Sequence, residues 1–72
     1  MVLQGIIDLL AVNGDDAWII DYKYSSLEKE SLIKKYKKQL NLYAYAVQKT
    51  LKLKVVKKVI INLFTGDFAE ID

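Results

Sequence analysis

No cysteine, histidine, proline or arginine occurs in the 72 residues, and all 11 basic residues are lysine. Without cysteine there is no disulfide framework, no thiolate zinc site and no iron–sulfur cluster. Without histidine the usual general base and the commonest metal ligand are missing. Acid–base or metal chemistry must therefore rest on Asp, Glu, Lys or Tyr. The absence of proline suits a compact unit of regular elements without a Pro-rich linker. Glycine is scattered singly at Gly5, Gly14 and Gly66, which excludes a glycine-rich phosphate loop. No apolar run approaches membrane-spanning length, and the N-terminus lacks the charged start and cleavage site of a signal peptide. The expectation is a soluble, cytoplasmic protein with no membrane partner.

A hydrophobic content of 53% excludes a disordered chain. The length allows one domain at most, over residues 1–72, with a core that is marginal without help. The net charge of +2 is too small to announce a nucleic-acid partner, but several lysines cluster.

Val2 to Val12 is nearly all apolar and long enough for a strand, with helix as the competing reading. Asn13-Gly14-Asp15-Asp16 follows, and Asn-Gly between apolar runs signals a hairpin. Ala17 to Tyr24 is the partner strand, apolar on both faces until Asp21. Ser25 and Glu28 have the spacing of a capping box. Ile33, Tyr36, Leu40, Tyr43, Val47 and Leu51 recur at three- and four-residue steps, which predicts a helix over Leu27 to Leu51, with Ser31 as a possible later start. Val55 to Phe64 reads as a third strand, Thr65-Gly66-Asp67 as a turn and Phe68 to Ile71 as a short last strand. A strand–helix–strand passage favours a crossover with the third strand parallel to the second. The fold class is α/β: a mixed sheet built from hairpin, helix, strand and short strand, with the helix on one face. The other face has no cover, although a sheet apolar on both faces needs two.

Three groups of residues carry candidate chemistry. Paired through the Asn13-Gly14 turn, Asp8 and Asp21 lie directly opposite one another, with Cβ atoms about 5 Å apart. Lys23 shares the face of Asp21, because side chains alternate along a strand. Like charges there repel, and a divalent cation resolves the repulsion: Mg²⁺ is commonly held by one or two carboxylates with waters and phosphate. Lys23 is then placed to orient an attacking water and stabilise phosphate charge. The plainer alternative is two strand-end acids, one salt-bridged to a lysine.

Gln39 and Tyr43 are four apart and share a helix face, where they can hydrogen-bond a carboxylate of the site or a DNA phosphate, or else form an ordinary core boundary. Lys34, Lys35, Lys37 and Lys38 surround Tyr36. Such a run either binds phosphates, with the tyrosine free to stack on a base, or is the solvated face of a helix.

Gly5-Ile6-Ile7-Asp8, Ile20-Asp21-Tyr22-Lys23 and Gln39-Leu40-Asn41-Leu42-Tyr43 occur in this order. The set closely resembles the RecB-like branch of the PD-(D/E)XK nuclease superfamily, whose signatures are G-x-x-D, D-Y-K and Q-x-x-x-Y. The best subfamily match is the C-terminal nuclease domain of AddA-type helicase–nuclease subunits of bacterial recombinational repair. The resemblance covers roughly Gly5 to Val47. It implies a restriction-endonuclease-like fold and a nuclease that hydrolyses phosphodiester bonds in DNA with Mg²⁺ or Mn²⁺. It further implies that Asp8, Asp21 and the Tyr22 carbonyl are metal ligands, that Lys23 is the catalytic lysine, and that Gln39 and Tyr43 support the site. The implied partners are DNA, the remainder of a helicase–nuclease chain and a partner subunit.

One departure stands out. The family carries a helix before the first strand, with a His or Glu that completes the metal site, and this chain has no histidine and begins just before Gly5. The expectation is a partial nuclease domain, lacking that covering helix, that is inactive in isolation and forms a homo-oligomer to hide the uncovered face. A DNA-binding or structural module that keeps the fold without cleavage is the alternative.

Overall fold

A computed structural model describes residues 8–72. Its elements are β1 (Leu9–Asn13), β2 (Asp16–Lys23), α1 (Lys29–Leu51), β3 (Lys54–Asn62) and β4 (Phe68–Ile71). They form one mixed sheet in the order β1-β2-β3-β4, with β1 antiparallel to β2, β2 parallel to β3, and β3 antiparallel to β4. This is the expected α/β architecture. The part of the predicted first strand before Asp8, including Gly5, lies outside the described residues.

The hairpin register follows from its turn. Asn13 pairs with Asp16, which leaves Gly14 and Asp15 as a two-residue loop. Gly14 takes φ +63, whereas Asp15 is not among the residues with positive φ. A positive φ at the first loop position alone is the type II′ pattern, which matches the twist of the flanking strands. Every ladder pair from Leu9↔Ile20 to Asn13↔Asp16 keeps that register.

Helix α1 lies on one face of the sheet. Its buried residues Leu32, Leu40, Ala44 and Val47 meet Ala17 and Ile19 of β2, Ile60 of β3 and Ile71 of β4. The predicted stripe therefore holds at Leu40 and Val47. Ile33, Tyr36, Tyr43 and Leu51 are only partly buried at its edges, and Leu32 and Ala44 join the core. A bulge between Ala17 and Trp18 in the β2–β3 ladder leaves Val56 without a partner, so Val55 packs on the core and Val56 is exposed. Beyond the bulge the alternation resumes with Ile60 and Asn62 facing the helix.

The helix starts two residues later than expected, at Lys29, and β3 ends at Asn62 rather than Phe64. The capping box does not form: Glu28 is the N-cap residue with extended backbone, and no side chain caps it. The Ser25 hydroxyl instead accepts the Leu27 N–H at 3.1 Å, a local turn that delays the helix to Lys29. The Ser25 backbone is held by Asn62, whose Oδ1 accepts the Ser25 N–H and whose Nδ2 donates to the Ser25 carbonyl.

Nothing among the described residues covers the opposite sheet face. Trp18 of β2 and Phe68 of β4 are 43% and 63% exposed there. With Ile20, Val59 and Ile61 they line a shallow apolar hollow, bordered by Lys57 and Glu70. No helix among the described residues is long and apolar enough to cross a membrane.

Candidate active site

The site lies at the C-terminal end of β2, where an apolar strand gives way to Asp21-Tyr22-Lys23. Alternation puts Asp21 on the helix-facing side with Ala17 and Ile19, and it is buried, at 5% exposure. Lys23 points the same way but lies nearer the edge. Its Nζ is 3.2 Å from Asp21 Oδ2. The ammonium is not aligned for a hydrogen bond, and Oδ2 has no hydrogen-bond partner. The Lys23 charge offsets part of the cost of burying this oxygen, but its hydrogen-bonding capacity stays unused.

Asp8 sits in a bend immediately before β1. The hairpin register, continued by one residue, sets it opposite Asp21. Its Oδ2 accepts the Tyr22 backbone N–H at 2.9 Å, which fixes the carboxylate against β2. That hydrogen bond, followed by contact with the Asp21 carboxyl, holds Asp8 below the usual carboxylate range. Burial, followed by the Asp8 carboxyl, pushes Asp21 up. The two carboxyls of the pair are thus shifted in opposite directions.

The helix contributes Tyr36, whose ring lies under the Lys23 ammonium at 4.2 Å from the centroid. One turn along the helix, the Gln39 side-chain amide donates to the Tyr43 hydroxyl. Gln39 and Tyr43 therefore bond to each other, and this amide donor is directed along the helix rather than to Asp8 or Asp21. Lys34, Lys35, Lys37 and Lys38 lie along the outer side of α1, and Lys34, Lys37 and Lys38 border a shallow hollow with Asn41.

The donor set fits a hard divalent cation: two apposed carboxylates, one with an unbonded buried oxygen, and no nitrogen or sulfur ligand. Among the described residues no three Asp, Glu, His or Cys side chains converge, so carbonyl, water or phosphate oxygens would complete such a shell.

A family model for the PD-(D/E)XK nuclease superfamily matches residues 1–70. The chain belongs to this superfamily. Similar proteins include an ATP-dependent helicase/nuclease subunit of Clostridium acetobutylicum, 35% identical over 75 residues and covering all of this chain. The protein of the same name from Clostridium novyi is 40% identical over 70 residues, or 93% of this chain. That of Ligilactobacillus salivarius is 42% identical over 67 residues, or 92% of this chain. The chain spans only 5–6% of the length of these relatives. The mixed sheet and the one helix among the described residues agree with the restriction-endonuclease-like fold of PD-(D/E)XK proteins.

Two residues of this candidate site were not legible as such in the sequence. Asn62 is 3% exposed and ties the end of β3 to the loop that follows Lys23. The signal was an amide closing the apolar run Val59-Ile60-Ile61. Tyr36 was legible as a stripe residue or a stacking platform, but its contact with Lys23 depends on how α1 docks.

Proposed function

We propose that this chain carries part of the active centre of a divalent-metal-dependent deoxyribonuclease, within the nuclease domain of a helicase–nuclease. The observation that supports this reading most is the pairing of Asp8 and Asp21, with an unbonded buried Asp21 oxygen 3.2 Å from the Lys23 ammonium. Superfamily membership and the names of the similar proteins support it further.

Asp8, Asp21 and the Tyr22 carbonyl would hold Mg²⁺ or Mn²⁺. Bound there, the cation supplies Lewis-acid activation of water and of the scissile phosphate. Asp8 is oriented by the Tyr22 N–H, so its carboxylate is set before any ligand arrives. Lys23 places a positive charge beside the reacting phosphate and stabilises the charge that develops in the transition state. Gln39 and Tyr43 stiffen the helix face behind the site. Lys34, Lys35, Lys37 and Lys38 offer point charges to the DNA backbone.

The domain would be completed by other parts of a longer helicase–nuclease chain, which would also cover the open sheet face. A cytoplasmic location and a partner subunit belong to this same reading.

The test is DNA cleavage by the longer helicase–nuclease chain carrying this segment, with Mg²⁺ or Mn²⁺ titrated in. Asp21→Ala and Lys23→Ala are each expected to abolish cleavage, and retention of cleavage in both sinks the reading. A second reading, a module that binds DNA without cutting it, draws on the presence of only two converging carboxylates among the described residues. It predicts salt-dependent DNA binding that is indifferent to Asp21→Ala.

A further inference from the structure

We infer that Tyr36 is a positioning residue for Lys23: its ring is a neutral anchor that keeps the ammonium over the site when the Asp21 carboxylate is engaged elsewhere. The inference rests on the reading of Lys23 as the lysine that meets the phosphate.

Two groups lie directly against the Lys23 ammonium at the β2–α1 boundary, and the Asp8 carboxylate acts on it from further off. One is Asp21 Oδ2 at 3.2 Å and the other is the Tyr36 ring, 4.2 Å from its centroid. Lysine is a compact charge on a flexible four-carbon stem, and each ordered rotor opposes its placement. The ion pair alone is a poor guide, because a cation bound at Asp21 competes for the same carboxylate charge and repels the ammonium. The ring responds differently. Its quadrupole attracts a cation above the face and carries no net charge for a metal to neutralise. Tyr36 is partly buried at the edge of the core, so its ring is held by packing on α1. Lys35 lies over the same ring at 5.4 Å from the centroid. Tyr36 therefore also joins Lys23 to the lysine run of α1.

The hydroxyl of Tyr36 has no part in this contact, which makes Phe the conservative replacement and Leu the disabling one. The first readout is the NMR shift of the Lys23 ε-methylene protons in the 72-residue chain, with and without Mg²⁺ and without DNA. Protons held over an aromatic face resonate upfield. Wild type and Tyr36→Phe should show that displacement and keep it on addition of Mg²⁺, and Tyr36→Leu should lose it. The second readout is DNA cleavage by the longer chain. Tyr36→Leu should lower kcat about tenfold with KM changed less than about twofold, and Tyr36→Phe should restore kcat.

An undisplaced Lys23 signal in wild type, or its return to the unshielded position when Mg²⁺ is added, overturns the inference, as does a Tyr36→Phe variant as slow as Tyr36→Leu. If Leu at this position unfolds the chain, wild type and Tyr36→Phe decide the matter alone. Undiminished cleavage by Lys23→Ala would instead refute the catalytic reading, and the NMR readout would still establish or refute the placement of Lys23 by Tyr36.

Discussion

Asp21 Oδ2 and Lys23 Nζ stand 3.2 Å apart at the end of β2, yet the carboxylate oxygen has no hydrogen bond. An ion pair built for stability would align its donors and satisfy the remaining lone pairs. This one leaves a buried Asp21 oxygen without an aligned donor, beside a second carboxylate, Asp8, across the hairpin. Such an arrangement weakens the free protein and suits it to bind a cation.

The first prediction concerns stability and pH. Burial raises the Asp21 pKa in the folded chain above its ordinary 3.8. The stability this group contributes is therefore fully present below its unfolded pKa and is lost as pH rises through the folded value. At pH 7 without divalent cations, Asp21→Asn is expected to stabilise the chain by about 1 kcal/mol, raising Tm by about 4–8 °C. Asp8, whose pKa is lowered, has the opposite sign, and its contribution is lost as pH falls. Asp8→Asn should lower Tm at pH 7, with the loss shrinking on acidification. Circular-dichroism melts across pH 3–7 check both signs.

A second prediction concerns the core. Leu40 is fully buried between α1 and the sheet, whereas Leu42 on the same helix is 64% exposed. Leu40→Ala should cost about 2–5 kcal/mol, much of the total stability of so small a chain. Leu42→Ala should stay within about 0.5 kcal/mol. Urea titrations followed by Trp18 fluorescence distinguish them.

Much of this was legible because local chemistry decided it. The Gly14 loop sets the register, the register sets Asp8 opposite Asp21, and the last strand falls at Phe68–Ile71 as its turn residues indicate. What was hidden depends on partners distant in sequence. Ser25 lost its capping role because its hydroxyl serves a local turn and its backbone is held by Asn62 from 37 residues away. The helix consequently begins at Lys29. Gln39 pairs with Tyr43 because an i, i+4 partner is always within reach, whereas a sheet partner depends on docking. The bulge at Val56 was masked because the paired residues Val55-Val56 and Lys57-Lys58 alternate equally well in two registers.

The lysine run gives a third prediction. Lys34, Lys37 and Lys38 border one hollow on α1. If they contact phosphates, changing all three to Ala should reduce the slope of log K against log salt for duplex DNA by up to about three. Fluorescence anisotropy at several salt concentrations measures this, and an unchanged slope would make the run a solvated helix face.

The open sheet face gives a fourth. Trp18 and Phe68 present apolar surface that nothing in the described residues covers. The 72-residue chain should self-associate as its concentration rises, and Trp18→Lys should shift it towards monomer in size-exclusion chromatography. A monomer at every concentration would contradict this.

The most direct measurement is Mn²⁺ titration of the 72-residue chain followed by NMR line broadening. The expected result is saturable broadening centred on Asp8, Asp21, Tyr22 and Lys23, abolished by Asp21→Asn. Broadening that never saturates, that centres on other acidic residues, or that survives Asp21→Asn would contradict the claim that this carboxylate pair is a divalent-cation site.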